Sequence, residues 1–305
     1  MSKDHFQYFL ELCKKVPAVP AAIAHPCGVT EIKAALEAQK LGLIEAILVG
    51  PAKEMEAIAK KEGLDIGCLE IENVEGGARA SAARCVELAH EGRVGMLMKG
   101  NLHTDELLGA VASSKTGLRT NRRLSHVFAM NVPAYHKPLF ITDAVVNIAP
   151  DLDQKADICR NAIDLLNMIG IKNPKVAILS AVETVNAKMQ STLDAAALAM
   201  MALRGQIEGG IVDGPLAFDN AISAQAAKTK GIKSEVAGDP DILLVPTLEA
   251  GNILFKQLVY LANSEAAGIV LGARVPVALT SRADSTTARI TSCALCVLKA
   301  HAQRG

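Results

Sequence analysis

The sequence predicts an α/β protein built on mostly parallel strands with helices packed against them. Short runs rich in Val, Ile and Leu alternate with longer segments of helical periodicity, which is typical of parallel strands joined by crossover helices. Half of the 305 residues are apolar and 21% are charged, the balance of a globular chain. A chain of this length is expected to form one large domain or two medium ones.

Nine segments have the length and composition of strands, namely residues 45–50, 94–100, 124–132, 138–146, 175–182, 210–213, 241–246, 267–272 and 276–281. Helices are predicted between most of them. Thr30 is the predicted cap of a helix that Gly42 ends, and Asp151 with Gln154 has the spacing of a capping box.

Residues 147–151 interrupt this alternation roughly halfway along the chain. They follow a predicted strand and place a proline directly before a helix cap, as expected of a crossing between domains. Strand candidates stand on both sides of the interruption. Two α/β layers with a crevice between them are therefore predicted, and a single large sheet is the alternative.

Composition narrows the functional classes. Lys plus Arg equals Asp plus Glu at 32 each, and aromatic residues make up 3% with no Trp. This balance gives no global attraction to nucleic acid or anionic membranes, and few side chains are available for base stacking. The seven scattered Cys are typical of reduced thiols, the charged N-terminus does not resemble a signal peptide, and no apolar run approaches a membrane span. A cytoplasmic location is expected.

The last predicted strand ends in residues suited to anion chemistry. The apolar run 276–279 is followed closely by Ser281, Arg282 and Asp284. An α/β fold places such strand ends at its ligand crevice, where an Arg donates two parallel hydrogen bonds to phosphate. The Ser adds a neutral donor and the Asp a possible base. The segment predicts chemistry on a phosphorylated or acyl-phosphate species.

Two further candidate sites lie in the second half of the chain. Asp213 and Gly214 follow an apolar run and are either turn residues or site residues at a strand tip. Asn252 and Lys256 share a predicted helix face with Glu249, which either lines a pocket or is a solvated face.

Two candidates lie in the first half. Lys99 and Gly100 end a predicted strand, where a glycine lets the backbone approach closely and the helix predicted from Thr104 attracts anions. Arg119 belongs to the most basic run, residues 115–123, which either clamps phosphates or forms a solvated loop.

Other familiar patterns carry little functional signal. Neither a dinucleotide-binding nor a P-loop motif is present. Cys293 and Cys296 lie in an apolar helical pattern without a second pair of ligands and are predicted to be buried helix residues. Asp153 and Asp157 have the spacing of a cation site, but complementing a helix dipole is the favoured interpretation. No metal site is assigned.

Taken in order, the motifs resemble those of the phosphate acetyl/butyryltransferase family. The resemblance covers almost the whole chain and rests on an ordered set, namely LMKG (97–100), KTGLRT (115–120), ITDAVVNIAPDLDQKADI (141–158), DGPLAFDNA (213–221), VPTLEAGNILFK (245–256) and PVALTSRADS (276–285). Several of these versions look more like phosphate butyryltransferase than the acetyl-specific branch.

The resemblance implies two three-layer α/β/α domains similar to isocitrate and isopropylmalate dehydrogenases, with the active site in the cleft. The implied division is residues 1–146 plus about 282–305 against residues 147–281. The implied reaction is the reversible transfer of a butyryl or similar short acyl group between CoA and inorganic phosphate in a ternary complex. No permanently bound cofactor is implied, and a homodimer or larger assembly is expected.

By resemblance, Ser281 is the active-site serine and Arg282 binds the phosphoryl group. The acetyl-specific enzymes place an Asp base seven residues after that serine, where this chain has Ala288, so Asp284 is the substitute candidate. The remaining matches are expected to contact substrate or CoA, namely Lys99, Gly100, Arg119, Asn147, Asp213, Gly214, Asn252 and Lys256.

Three alternatives stay open at this point. The first is phosphate acetyltransferase activity. The second is a metal-dependent 2-hydroxyacid dehydrogenase on a similar fold, for which only Asp153 and Asp157 offer ligand spacing. The third is a non-catalytic CoA or acyl-phosphate sensor, against which the intact Ser281 and Arg282 argue.

Overall fold

The computed structural model describes residues 5–280 and 284–303. Contacts divide the chain into two compact units, which we name by their position in the chain. The central unit is Ser125–Ala266. The terminal unit combines Phe6–Leu124 with Ala267 onward.

The described strands of the terminal unit lie side by side in the order Glu70–Asn73 (β3), Ile44–Gly50 (β2), Val19–Ala24 (β1), Met96–Lys99 (β4), Val277–Ala278 (β11) and Glu265–Leu271 (β10). Neighbours run parallel from β3 to β11, whereas β10 and β11 are antiparallel. The register pairs Ala24 of β1 with Lys99 of β4, and Met98 of β4 with Ala278 of β11. The carboxyl ends of β1, β4 and β11 therefore meet at one edge.

The helices of the terminal unit are His5–Cys13 (α1), Val29–Lys40 (α2), Ala52–Glu62 (α3), Gly77–His90 (α4), Thr104–Ala112 (α5) and Thr286–Ala302 (α11). Most of α11 is buried, and it packs against α2 and β11. Cys293 and Cys296 of α11 are fully buried, which confirms the predicted structural role of this Cys pair.

The described strands of the central unit follow the order Ser125–Asn131 (β5), Leu139–Thr142 (β6), Ile242–Leu244 (β9), Lys175–Leu179 (β7) and Ile211–Leu216 (β8). β5 and β6 are antiparallel, and the pairs from β6 to β8 are parallel. The helices are Leu152–Met168 (α6), Gln190–Leu203 (α7), Phe218–Ile222 (α8), Ala224–Thr229 (α9) and Leu248–Leu261 (α10).

The central core is mainly aliphatic and contains one aromatic cluster. The rings of Phe128 and Phe255 stack at a centroid distance of 3.8 Å, which attaches α10 to β5. His126 meets Phe128 edge-on at 4.3 Å. Because aromatic pairs have preferred geometries, these ring contacts fix how α10 and β5 pack in a core that is otherwise mainly aliphatic.

The predicted α/β class is confirmed, and the differences lie in individual elements. The side chain of Asp151 accepts a hydrogen bond from the Gln154 N–H at 2.9 Å, as predicted. Thr30 is not a cap, because α2 begins earlier, after Gly28. Two strands, β1 and β3, were not predicted.

The predicted domain division at 146/147 and near 281/282 stays a prediction, and the contact units place the segment with β5 and β6 in the central unit. The physical reason is pairing: Leu139–Thr142 bonds to Ile242–Leu244 in parallel register, so β5 and β6 belong to the central sheet. Among the described residues, no helix is both long and apolar enough to cross a membrane.

Candidate functional site

The terminal unit has a topological switch point between β1 and β4. From β1 the chain moves to β2 and β3 on one side, and then returns to β4 on the other side. In open α/β sheets, ligands bind outside the carboxyl ends of the strands at such a point. The residues that follow β1 and β4 therefore occupy the favoured position for a binding site within this unit.

Lys99 ends β4 at this switch point and Gly100 follows it, so the strand end lies where the sequence predicts it. Lys99 is only 3% exposed. The Gly100 N–H donates to the Ala24 carbonyl at 3.0 Å, and a Cβ at Gly100 would collide with that oxygen and lie 2.8 Å from the His25 carbonyl. Only glycine permits this close approach of the two strand ends.

His25 follows β1 and was not among the predicted site residues. Its backbone has φ 51°, a left-handed conformation uncommon for any residue other than glycine. Its Nδ1 lies 3.2 Å from the Ser81 hydroxyl and 3.8 Å from the Cys27 sulfur. Burial raises the pKa of the Cys27 thiol to about 12, and the negative charge of Glu54 adds to the rise.

A buried ion pair lies beside the carboxyl end of β11. The guanidinium of Arg289 on α11 is fully buried and bonds to Glu31 of α2 at 2.8 Å. It also donates to the Thr280 hydroxyl at 3.2 Å. Arg289 thereby connects α2, α11 and the last residue before Ser281.

Of the predicted residues near this end, Ser281 and Arg282 lie outside the described residues. Asp284 is half-buried directly before Ser285, whose hydroxyl caps α11 by accepting from the Ala288 N–H at 3.2 Å. Arg119 is exposed and forms an isolated backbone bridge with Ala273.

A polar loop follows β6 at the carboxyl edge of the central unit. The carboxylate of Asp143 accepts from the backbone N–H groups of Val145 and Val146 at 2.9 and 3.0 Å. It also accepts from the side-chain amide of Asn147 at 2.6 Å. Burial raises the pKa of the Asp143 carboxyl above its ordinary value, and these N–H donors oppose the rise. Asp143 thus fixes the predicted residue Asn147, which is itself buried.

The first turn of α10 packs against this loop. Gly251 is buried, and a Cβ there would lie 2.9 Å from the Cβ of Ala144. The Asn252 amide lies 3.4 Å from the Ala144 carbonyl, so the structure brings Asn252 and Asn147 to the same loop. Lys256, one turn later, is exposed.

Asp213 and Gly214 lie elsewhere. Both belong to β8, which continues to Leu216, so the predicted strand end and turn at these residues are wrong. Asp213 pairs in register with Ala177, and its carboxylate accepts from the Gly214 N–H at 2.8 Å. A Cβ at Gly214 would approach the Ile178 carbonyl to 2.8 Å, which gives this glycine a packing role.

Other polar groups at the central carboxyl edge were not predicted. The hydroxyls of Ser180, after β7, and Ser191 of α7 lie 2.8 Å apart. Beyond β8, the buried Asn220 donates to Glu183 at 3.2 Å, and Glu183 pairs with Lys230 at 3.0 Å. These polar residues lie just after strands or in loops that face the strand ends. The sequence could have indicated them only if the strand boundaries had been predicted correctly.

The structure also bears on the metal alternative. In the ranges 5–280 and 284–303, no group of three or more His, Cys, Asp or Glu side chains is placed to hold a metal ion. Asp157 is engaged by Arg160 at 3.0 Å on the same helix.

The α/β fold and the polar residues at the carboxyl edges of its two units are those of a class of enzymes. Each unit gathers lysine, carboxylate, amide and hydroxyl groups at the carboxyl ends of parallel strands, as is typical of α/β enzymes that act on anionic ligands. The family is established by comparison with known proteins: residues 78–297 match the model of the phosphate acetyl/butyryl transferases. The chain belongs to this family.

Two relatives illustrate the similarity. A phosphate acetyltransferase of Rhizobium meliloti is 56% identical over 95% of this chain and 91% of its own length. A phosphate butyryltransferase of Clostridium acetobutylicum is 44% identical over 94% of both chains. The chain is accordingly an acyltransferase.

Solved structures agree with this assignment. A branched-chain phosphotransacylase from Enterococcus faecalis aligns with a TM-score of 0.80 and 29% identity over 92% of this chain and 99% of its own. A 4-hydroxythreonine-4-phosphate dehydrogenase from Klebsiella pneumoniae aligns over 93% and 98% with a TM-score of 0.56 and 15% identity, which shows likeness of fold alone. The predicted dehydrogenase-like fold is confirmed.

Proposed function

We propose that this chain catalyses the reversible transfer of a short acyl group between CoA and inorganic phosphate, in the cytoplasm and without a permanently bound cofactor. The observation that carries the proposal is the match of residues 78–297 to the transferase family, with relatives of the same activity along nearly the whole chain. The polar carboxyl edges described above supply the chemistry that the reaction needs.

The reaction has two electrostatic requirements. Phosphate carries negative charge, and further charge develops on the carbonyl oxygen when the acyl carbon becomes tetrahedral. We assign the phosphoryl group to Arg282 and the developing oxyanion to Ser281, because a guanidinium and a hydroxyl donate suitable hydrogen bonds. Lys99 and Arg119 are proposed contacts for phosphate or CoA.

The remaining proposed contacts come from the central unit. Asn147 and Asn252 meet at the loop after β6, where the Asn147 amide donates to Asp143 and the Asn252 amide lies beside the Ala144 carbonyl, and we retain both as contacts of a polar ligand group. Lys256 adds an exposed positive charge one turn further along α10. Asp213 and Gly214 are retained from the family pattern, although both lie inside β8.

The CoA thiol must lose its proton before it attacks an acyl phosphate, because the thiolate is the nucleophile. From the sequence alone Asp284 is the candidate base, since it is the first carboxylate after Ser281 and Ala288 occupies the family position.

The length of the acyl group divides two candidate functions. The sequence motifs favour butyryl, whereas the 56% identical relative is named an acetyltransferase and the 44% identical relative a butyryltransferase. Two additional methylenes are worth roughly 0.8 kcal/mol each when buried, so a pocket of matching size would discriminate roughly tenfold.

The test is the release of free CoA from acetyl-CoA and from butyryl-CoA, followed with a thiol reagent with and without phosphate. We expect phosphate-dependent release, and a loss of about 10²–10³-fold in Ser281→Ala because an oxyanion donor is removed. Ser114→Ala, at an exposed position, is the matched control and should keep wild-type rates.

The outcomes separate the alternatives. Faster turnover of acetyl-CoA would assign the acetyl branch, and faster turnover of butyryl-CoA the butyryl branch. Failure of every short acyl-CoA to release CoA with phosphate, combined with a CoA-induced rise in melting temperature, would contradict the enzyme and support a CoA sensor.

We also propose a homodimer or larger homo-oligomer. One face of α10 exposes large apolar side chains, with Ile253, Tyr260 and Leu261 being 67, 73 and 80% exposed. Clustered apolar surface of this kind marks interaction sites.

We expect light scattering to give at least twice the mass of 32.0 kDa. The double substitution Tyr260→Asp and Leu261→Asp should reduce the measured mass. Leu41→Asp, at an exposed residue after α2, should not, and a monomeric wild-type protein would refute the assembly.

A further inference from the structure

We infer that His25 is a catalytic residue of the proposed acyl transfer, whose Nε2 carries the proton between the CoA thiol and the phosphate oxygen. The inference rests on the proposed function, and it assigns the thiol proton to His25 in place of Asp284, the candidate that the sequence alone offers. It concerns a residue of the terminal unit to which neither the sequence motifs nor the family pattern assigned a role.

The first argument is position. His25 is the residue after β1, at the switch point between β1 and β4 where a ligand is expected. Its carbonyl accepts from the Asn101 N–H at 2.9 Å, two residues after Lys99. The imidazole therefore shares one strand edge with the lysine already proposed to contact phosphate or CoA.

The second argument is that the neighbours of Nδ1 determine which ring nitrogen carries the hydrogen. The Ser81 hydroxyl donates to the Gly77 carbonyl at 3.1 Å, so its oxygen is left to accept from His25 Nδ1. Burial raises the pKa of the Cys27 thiol and keeps it protonated, and its sulfur is a more distant neighbour of Nδ1 at 3.8 Å. Neutral His25 thus has its hydrogen on Nδ1 and a lone pair on Nε2.

The third argument is that the ring contacts of His25 with the described residues use Nδ1. Within residues 5–280 and 284–303, Nε2 of His25 forms no hydrogen bond, and the residue is half-buried rather than enclosed. An imidazole held at one ring nitrogen by a second group has the arrangement of an oriented general base. Ser81 is then a positioning residue.

The fourth argument is the backbone. The left-handed conformation of His25 is held by three main-chain bonds: its N–H donates to Val49 at 2.8 Å, and its carbonyl accepts from Cys27 at 2.8 Å and from Asn101 at 2.9 Å. Conformations of this kind cost free energy, persist where the surroundings enforce them, and cluster at functional sites.

The reaction moves one proton between the thiol and the phosphate oxygen, and this is the task we assign to His25. When CoA attacks an acyl phosphate, Nε2 takes the thiol proton, sulfur bonds to the acyl carbon, and the bond from that carbon to the phosphate oxygen breaks. The imidazolium then gives its proton to the departing oxygen, so that hydrogen phosphate leaves and neutral His25 is restored. In the opposite direction hydrogen phosphate gives its proton to Nε2, and the thiolate receives it as the carbon–sulfur bond breaks.

Two substitutions test the role without changing the backbone. His25→Asn keeps a residue that tolerates the left-handed region, and His25→Gly tolerates it and leaves space for a small molecule. We expect either variant to lose about 10²–10⁴-fold in kcat, the usual share of general acid–base catalysis. Added imidazole should restore activity to His25→Gly, a response that a purely structural role would not give.

Control variants show whether a loss of kcat in the His25 variants comes from the imidazole itself. Ser81→Ala should lower kcat less than His25→Asn, because the base remains and only its orientation suffers. His136→Ala removes an exposed histidine of the central unit that pairs with Asp239, and should keep wild-type rates. Far-UV circular dichroism verifies that each variant is folded.

Two outcomes would overturn the inference and leave the proposed function standing. One is an active wild-type enzyme with full activity in folded His25→Asn. The other is a His25→Gly variant that imidazole does not rescue, together with a loss of 10²-fold or more in Asp284→Asn, which would assign the base to Asp284. A wild-type protein without phosphate-dependent CoA release would instead refute the proposed function itself.

Discussion

Replacing Glu31 by glutamine is expected to lower the free energy of unfolding by about 3–5 kcal/mol, because it removes a carboxylate that pairs with the buried charge of Arg289. The guanidinium is fully buried, and its bond to Glu31 is 2.8 Å long. Few charged groups in the described chain are so far from water. The midpoint of urea denaturation, followed by circular dichroism, measures the effect.

A second variant separates the charge effect from simple packing. Glu31→Gln combined with Arg289→Met removes both charges and should recover much of the lost stability, because well-packed apolar side chains replace buried ion pairs at little cost. Glu11→Gln breaks the exposed pair with Lys14 and should leave the midpoint unchanged. An equal midpoint for Glu31→Gln and wild type would show that the buried pair does not stabilise the fold.

Gly100→Ala is expected to reduce both activity and stability. The new Cβ would collide with the Ala24 carbonyl and lie within 3 Å of the His25 carbonyl, and both atoms belong to the backbone. The strand ends must therefore separate, which costs about 1–3 kcal/mol or more for an overpacked site. Because the shift occurs between β1 and β4, we expect kcat to fall at least tenfold as substrate-positioning groups move.

The matched control is Gly109→Ala in α5. A Cβ at Gly109 meets nothing within 4 Å, so alanine should stabilise the helix by about 0.5–1 kcal/mol. Thermal unfolding should therefore show a lower stability for Gly100→Ala and a higher stability for Gly109→Ala. CoA release should be slower in Gly100→Ala and unchanged in Gly109→Ala. Wild-type kcat in Gly100→Ala would mean that the strand ends tolerate separation.

The sequence predicts the fold class well because periodicity reports burial, and most strands and helices of both units are buried on one face. It failed at β1, where Val19–Ala24 contains a proline and three alanines and lacks a strong β-forming pattern. The burial that makes this segment a strand comes from β2 and β4 on either side. Tertiary contacts therefore override local propensity at the strand that directly precedes His25.

Some residues of the candidate site could likewise be placed from the sequence, and others could not. The positions of Lys99, Gly100, Asn147 and Asn252 near strand ends could be predicted from the sequence, because each residue ends, follows or faces a strand that the residue pattern marks. Asp213 was misplaced because the glycine and proline after it predict a turn, whereas the β8 strand continues through both. The pairs Asp143 with Asn147 and Glu31 with Arg289 carry no sequence signal, since helices and loops bring their polar atoms together only after folding.

The burial of the cysteines has a consequence for the chain's own redox chemistry. Six of the seven thiols are buried, and only Cys68 is exposed. Burial raises the pKa of Cys13, Cys27 and Cys159 to about 12, so these sulfurs stay protonated and are poor nucleophiles toward peroxide, disulfides and electrophiles. A protein that handles the thiol of CoA thereby avoids mixed disulfides with its own substrate, with Cys68 as the single accessible point of exchange.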